Sequence, residues 1–270
     1  MNIFRTLMAV LAFFLFTAFL TAPQSYAVIE PDSVVALWLL DENDDNIAID
    51  SSENGHHDGE LRGNPEWDEG KFGDALKFNG GGAFVECGND PAYNLDTFTV
   101  TFWSRFPTDQ GWNHMVSRGS HVASGSPGSV NWGVMMRSAE ARFLYEIYQD
   151  VSWTGISAPE VPTDEWQHLA ATYDGDRMEF FLNGVSLGSS AGVKIKLDET
   201  RSFRIGGIAT AGVTPGNFFN GSIDEVAYFN TALNLEDIQD IMNLGLVETL
   251  NINPVAPGGK SATTWAEIKK

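Results

Sequence analysis

Short apolar or alternating runs recur along this chain from residue 34 to residue 229, separated by clusters of Gly, Asn, Asp and Pro. VVALWLL (34–40), ALKF (75–78), AFVEC (83–87), FTVTFWSRF (98–106), WGVMMR (132–137), RFLYEIY (142–148), WQHLAATYD (166–174), RMEFFLNG (177–184), FRIGG (203–207) and SIDEVAYF (222–229) each read as a strand. In FTVTFWSRF the period of two puts Phe98, Val100, Phe102, Ser104 and Phe106 on one face. Thr99, Thr101, Trp103 and Arg105 take the other. Asn183-Gly184, inside LNGVSLG, is the residue pair that tolerates the positive φ angles of a tight hairpin. So many short strands with turn signals between them predict an all-β chain folded as a two-sheet antiparallel jelly-roll sandwich. The helical period occurs once, after the last strand. Asn234 caps it with Asp237 three residues on, Leu235, Ile238, Ile241 and Met242 form one stripe, and Gly245 stops it.

The two ends of the chain read differently. Arg5, an apolar run from Leu7 to Leu20 and the small residues of Ser25-Tyr26-Ala27 have the layout of an export signal. The run is shorter than the roughly 20 residues a membrane span takes. Residues 1–27 are therefore expected to be a cleaved signal peptide. The mature protein is expected to be secreted, or to sit at the cell surface or in the periplasm, without membrane insertion. Residues 28–247 form the domain, and 248–270, rich in Pro, Gly and Lys, a tail or linker. The chain carries 36 acidic against 16 basic residues, a net charge of −20, which repels phosphate backbones and excludes nucleic acid as a partner. Its one cysteine, Cys87, allows no internal disulfide, so the core, with or without a metal, must hold the fold.

The order of these segments resembles the laminin-G-like, concanavalin A-like lectin/glucanase superfamily. The resemblance runs through ALWLLDEN (36–43), DSSENGHHDGEL (50–61), GKFGDALKFNGGGAFVEC (70–87), DTFTVTFWSR (96–105), PTDEWQHLAATYDGDRMEFFLNGVSLG (162–188), FRIGG (203–207) and FNGSIDEVAYFNTALNLEDI (219–238). It implies two curved antiparallel sheets packed face to face, with first and last strands adjacent. It also implies a non-catalytic module that binds glycans or proteins, with a structural calcium.

That adjacency would bring Asp41 and Asp50 near Asp224. Calcium takes six to eight oxygens, and the turn DSSENGHHDG offers Asp50, Asn54 and backbone carbonyls. Asp41, Asp50, Asn54 and Asp224 are the expected calcium ligands. Glu225, on the opposite face of a regular strand, would hydrogen-bond inward to backbone N–H groups or to the 166–168 strand. The alternative is that Asp224 and Glu225 both only satisfy backbone donors where the strand enters the helix. DENDDNIAIDSS (41–52) is no EF-hand, because Asn46 stands where Gly is required and Ser52 where the closing Glu belongs.

Hydrolytic chemistry finds little support. Glycosidases need two carboxylates across one sugar bond; no Glu-x-Asp-x-x-Glu run occurs, and Glu146 has no partner at alternate spacing. His56, His57, His114, His121 and His168 lack zinc-protease spacing, with His168 expected as a hydrogen-bonded structural residue, and no G-x-S-x-G elbow occurs. Trp38, Trp103 and Trp166 fall in strands and are expected to pack structurally. Trp112, Trp132 and Trp153 sit in or beside loops among Asn, Asp and Gln, and are the candidates for stacking on sugar faces. The expected function is recognition of an extracellular glycan or a cell-surface protein. The alternatives are an adhesive or structural protein–protein module and, last, a glycoside hydrolase.

Overall fold

The structure is a computed structural model that describes residues 29–43, 46–53, 55–107, 111–121, 130–137, 142–149, 152–196, 199–210 and 214–252. The expected signal peptide, the tail beyond residue 252 and Asn54 lie outside the described residues. Two antiparallel sheets face each other. The first runs in the spatial order Val185–Ser190, Met178–Leu182, Gln167–Tyr173, Phe98–Arg105, Asn220–Phe229, Asp74–Asn79, Glu66–Glu69, and Val34–Trp38 also pairs with Asn220–Phe229. The second runs Ser152–Glu160, Arg142–Gln149, Val130–Arg137, Asn113–His121, Phe203–Ile205, Phe84–Glu86, Gly59–Arg62, Ile47–Ala48, with Ile208–Thr210 and Thr214–Gly216 attached at its side. Neighbours far apart in sequence, such as 98–105 beside 220–229, are the long crossovers of a jelly roll.

Alternation in the strands supplies the core. Phe98, Val100, Phe102 and Phe106 point inward, as their spacing predicts, and are fully buried with Ile223, Val226, Phe203 and Tyr145. Trp38, Trp132, Phe203 and Tyr228 form an aromatic centre, with Trp38–Phe203 centroids 5.1 Å apart and Phe203–Tyr228 at 5.3 Å. Each such ring contributes roughly 1.5–3 kcal/mol by leaving water. Asn183 and Gly184 have φ of 49° and 69°, so the predicted hairpin turn forms.

The predicted helix is present as α1, Leu235–Leu244, closed by a capping box in which Asn234 Oδ1 accepts from Glu236 N and Asp237 N at 2.8 and 3.0 Å. A second short helix, α2, Leu246–Thr249, follows it and was not foreseen. Leu246 and Leu250 join Ile238 and Ile241 in an apolar cluster against Leu37, Ala170, Phe181, Ala227 and Phe229, so packed structure extends beyond residue 247. These helices cover only part of the outward face of the first sheet.

A cleft beside the paired acids

Asp224 and Glu225 break the alternation of the last strand. Between Asp224, opposite Trp103, and Ala227, opposite Thr101, the strand carries one residue more than its partner. The extra position is a bulge at Glu225, with φ of 50°. Ile223 and Val226 stay in the inner core, while Asp224 and Glu225 both contact segments lying on the outer face. The expectation of opposite faces is therefore corrected: a bulge lets two neighbouring carboxylates serve one side of the sheet.

Each acid holds a separate piece of backbone there. Asp224 Oδ2 accepts from Lys71 N at 2.7 Å and Phe72 N at 3.0 Å. Glu225 Oε2 accepts from Leu246 N at 2.6 Å, at the start of α2. Asp41 Oδ1 secures the far end of the same 70–74 turn by accepting from Asp74 N at 2.7 Å. The turn needs its glycines: a Cβ on Gly73, whose φ is +76°, would lie 2.3 Å from Asp41 Oδ1, and one on Gly70 would lie 2.7 Å from Asp224 Oδ2. Burial, then the charges of Glu225 and Asp41, raise the Asp224 pKa well above the usual carboxylate range. Burial likewise pushes Asp41 up to about 7.

Asp50 does not join them. Its Oδ1 accepts from Leu37 N and Ser52 N at 2.9 and 3.0 Å, and its Oδ2 from His57 N and His57 Nδ1 at 3.1 and 3.0 Å. Burial opposes its ionisation, but the bonds from His57, Ser52 and Leu37 outweigh that and hold its pKa below the usual value. A carboxylate with both oxygens filled by the protein's own donors is a structural clamp on the 50–57 turn. Among the described residues no group of three or more His, Cys, Asp or Glu is arranged to hold a metal ion. Of the expected calcium ligands, the described residues Asp41, Asp50 and Asp224 thus do not come together as one cage, and Asn54 lies outside the described residues. Asp41 and Asp224 converge on one turn, and Asp50 turns to another.

The loop tryptophans part company as well. Trp132 is 1% exposed and stacks on Phe98 and Tyr228 at 5.2 and 5.6 Å, so it belongs to the core and not to a binding face. Trp112 is 46% exposed and lies beside the end of the second sheet where Asn113 pairs with Met136. Trp153 is partly buried on Tyr148 and Ile208, at the other end of the 142–149 strand. The two do not form one site.

The cleft that does form is walled by the turn that Asp224 holds. It has a volume of about 640 Å³ and lies on the outer face of the first sheet, between Lys71 and Phe72, the 162–167 segment, Asn183 and the Met242–Asn243 end of α1. Cross-strand register lines up Asp224, Trp103 and His168 on three adjacent strands beside it. Trp103 lines the cleft, packs on His168 at 5.1 Å and Phe72 at 6.2 Å, and carries Lys71 Nζ 4.5 Å above its ring. Trp166 is the more accessible indole, with the Arg105 guanidinium 4.8 Å from its centroid. Asn183 Nδ2 donates to Gln167 Oε1 at 2.7 Å.

The polar row is under-satisfied. Asp224 Oδ1, Trp103 Nε1 and both ring nitrogens of His168 are buried without a hydrogen-bond partner. Burial lowers the His168 pKa to about 3, so the ring is neutral. The expectation of a hydrogen-bonded His168 is corrected, whereas Trp103 is buried and packs structurally, as expected of it, and Trp166 is partly exposed. Alternation placed Trp103 and Arg105 on the outer face, which was the legible signal for this cleft. What covers that face depends on contacts across the fold.

With this geometry in place, comparison fixes the class. The chain belongs to the concanavalin A-like lectin/glucanases superfamily, whose laminin G form it matches over residues 79–239. No curated protein matches the sequence. Among solved structures it is similar to domain 4 of AbnA, a GH43 extracellular arabinanase from Geobacillus stearothermophilus, in complex with arabinotriose. The identity is 19%, the TM-score 0.60, and the match covers 78% of this chain and 98% of that one. It is similar also to the binding domain of botulinum neurotoxin DC in complex with rat synaptotagmin II, at 16% identity and TM-score 0.58 over 79% of this chain and 52% of that one. A mutant of Trypanosoma rangeli sialidase displaying trans-sialidase activity matches at 17% identity and TM-score 0.60, over 83% of this chain and 34% of that one. The chain thus spans about half of the neurotoxin domain and about a third of the sialidase, and these likenesses establish the shared fold. No described helix is long and apolar enough to cross a membrane.

Proposed function

We propose that the protein is a secreted, non-catalytic recognition module that binds extracellular carbohydrate in the cleft between the 70–74 turn and α1. One observation carries this reading: the partly exposed Trp166 indole shares one cleft with the exposed side-chain amides of Asn183 and Asn243. Indole faces stack on the C–H faces of sugars, and amides both donate to and accept from hydroxyls. Glu165 is the one carboxylate among the lining residues. A glycosidase needs two, roughly 5–10 Å apart across the bond, and Asp224 is fully buried and engaged with the turn. The arabinotriose complex of the arabinanase domain supports glycan recognition on this fold.

The second reading is a protein–protein module, favoured by the synaptotagmin complex of the neurotoxin domain. An array of polysaccharides and glycans separates the two. Carbohydrate binding that falls at least tenfold in Trp166→Ala, about 1.4 kcal/mol, supports the first reading. Absence of any glycan bound by the native protein overturns it. Release of reducing sugar from the bound polymer would replace both readings with a hydrolase.

A further inference from the structure

The cleft does not end at Trp166. A second hollow, of about 300 Å³, opens on the same outer face among Asp68, Lys77, Arg105, Asn220 and Ser222. Strand register fixes how the two are related. One cross-strand row carries Asp224, Trp103 and His168, and the next carries Lys77, Ser222 and Arg105. They are two residues apart along the strands, roughly 7 Å at about 3.4 Å per residue. The residues at 103 and 105 and at 222 and 224 face outward in both rows, so the hollows share one surface.

Arg105 marks the divide and is pinned from three directions. Its Nη2 donates to Asp68 Oδ2 at 3.0 Å and to Glu69 O at 3.3 Å, and its guanidinium plane meets the Trp166 ring. Ser222 Oγ donates to the same Asp68 oxygen at 2.7 Å. The Arg105 and Asp68 side chains nevertheless keep 29% and 27% exposure. Arg105, which lines the second hollow, thus touches Trp166, which lines the first, and the two hollows adjoin at that contact. Guanidinium planes pinned by a carboxylate have little rotamer freedom left to lose on binding.

We propose that the two hollows are successive subsites of one groove, and that its ligand is the interior of a linear polysaccharide several units long rather than a terminal sugar. This rests on the carbohydrate reading above and adds chain length to it. Both hollows lie on the outward side of the same strands, and the Arg105–Trp166 contact joins the lining of one to the lining of the other. A recogniser of chain ends would instead need one hollow closed at its far side, and here the second hollow extends the first.

The test uses the polysaccharide picked out by the array and its di- to hexasaccharides, titrated calorimetrically against the native protein, Asn243→Ala in the first hollow and Lys77→Ala in the second. Both residues are exposed, and thermal melts check that each variant folds. Native affinity is expected to rise at least tenfold from the disaccharide to the hexasaccharide. Lys77→Ala should weaken the hexasaccharide at least threefold and leave the disaccharide unchanged, while Asn243→Ala weakens every length. Carbohydrate binding with affinity flat in chain length, or a hexasaccharide indifferent to Lys77→Ala, overturns the extended groove and leaves the carbohydrate reading standing. If no polysaccharide binds at all, the reading itself fails and the groove falls with it.

Discussion

The outer face of the first sheet is two surfaces made by the same strands. Toward one end, Leu37, Ala170, Phe181, Ala227 and Phe229 present an apolar patch that α1 and α2 seal with Ile238, Ile241, Leu246 and Leu250. Two to three residues along the same strands, the outward positions become Asp224, Trp103, His168, Arg105 and Ser222, and the helices leave clefts instead of a seal. The strands could have continued the apolar pattern and been covered throughout. The bulge at Glu225 marks the change: it feeds one carboxylate to the 70–74 turn and the next to the start of α2. The sealed half carries apolar packing and the open half the proposed recognition, with the paired acids at the seam.

Truncation in the sealed half should have the largest effect. Phe229 is fully buried, and Phe229→Ala should cost about 3–5 kcal/mol by lost transfer energy and an unfilled cavity. Urea denaturation reads that loss, and ligand affinity measured well below the melting temperature should stay native. At the seam the effect is smaller and mixed. Asp224→Ala strips the acceptor from Lys71 N and Phe72 N, about 1–3 kcal/mol for a buried donor left unsatisfied, and it loosens the wall of the cleft. Lower stability and lower affinity should therefore appear together. Loss of stability with native affinity would separate the acid from the cleft.

Much of this was legible from period alone. The inward faces of the 98–106 run, the Asn183-Gly184 hairpin and the capped helix follow from local chemistry, and the structure repeats them. Among the strands not read from the sequence, 66–69 and 152–160 are edge strands whose residues stay half-exposed, so EWDE and SWTGISAPE carry no alternating apolar signal, while the inner strand 113–121 is hidden by its polar wording, NHMVSRGSH. The site was harder to read. A position at the edge of a loop suggested that Trp132 faces solvent, whereas its ring points inward against Phe98 and Tyr228 of the facing sheet. Adjacent acids suggested opposite faces, because a bulge has no signature in a single sequence. Asp50 looked like a calcium ligand, since nothing local reveals that His57, Ser52 and Leu37 already fill both of its oxygens.

The substitution expected to change least, Asp224→Asn, belongs with the test of what holds Asp224 and Asp41 in place. Burial pushes Asp41 from 3.8 up to about 7, so between those pH values the folded chain keeps a proton that the unfolded chain has released. Stability should then fall as pH rises through that window and level off above it, and Asp41→Asn should flatten the slope. Asp224 is raised in the same direction, chiefly by burial. An amide resembles a protonated carboxyl in shape and still offers an oxygen to the turn, so Asp224→Asn at pH 6 should cost less than about 1 kcal/mol. A calcium ion on this pair would reverse each expectation. It would keep both carboxylates ionised and abolish the slope; chelator would lower the melting temperature, and Asp224→Asn would become as damaging as Asp224→Ala. Melting curves of the native protein and both variants at pH 5 and pH 8, with calcium and with chelator, decide between a proton and a cation at the seam.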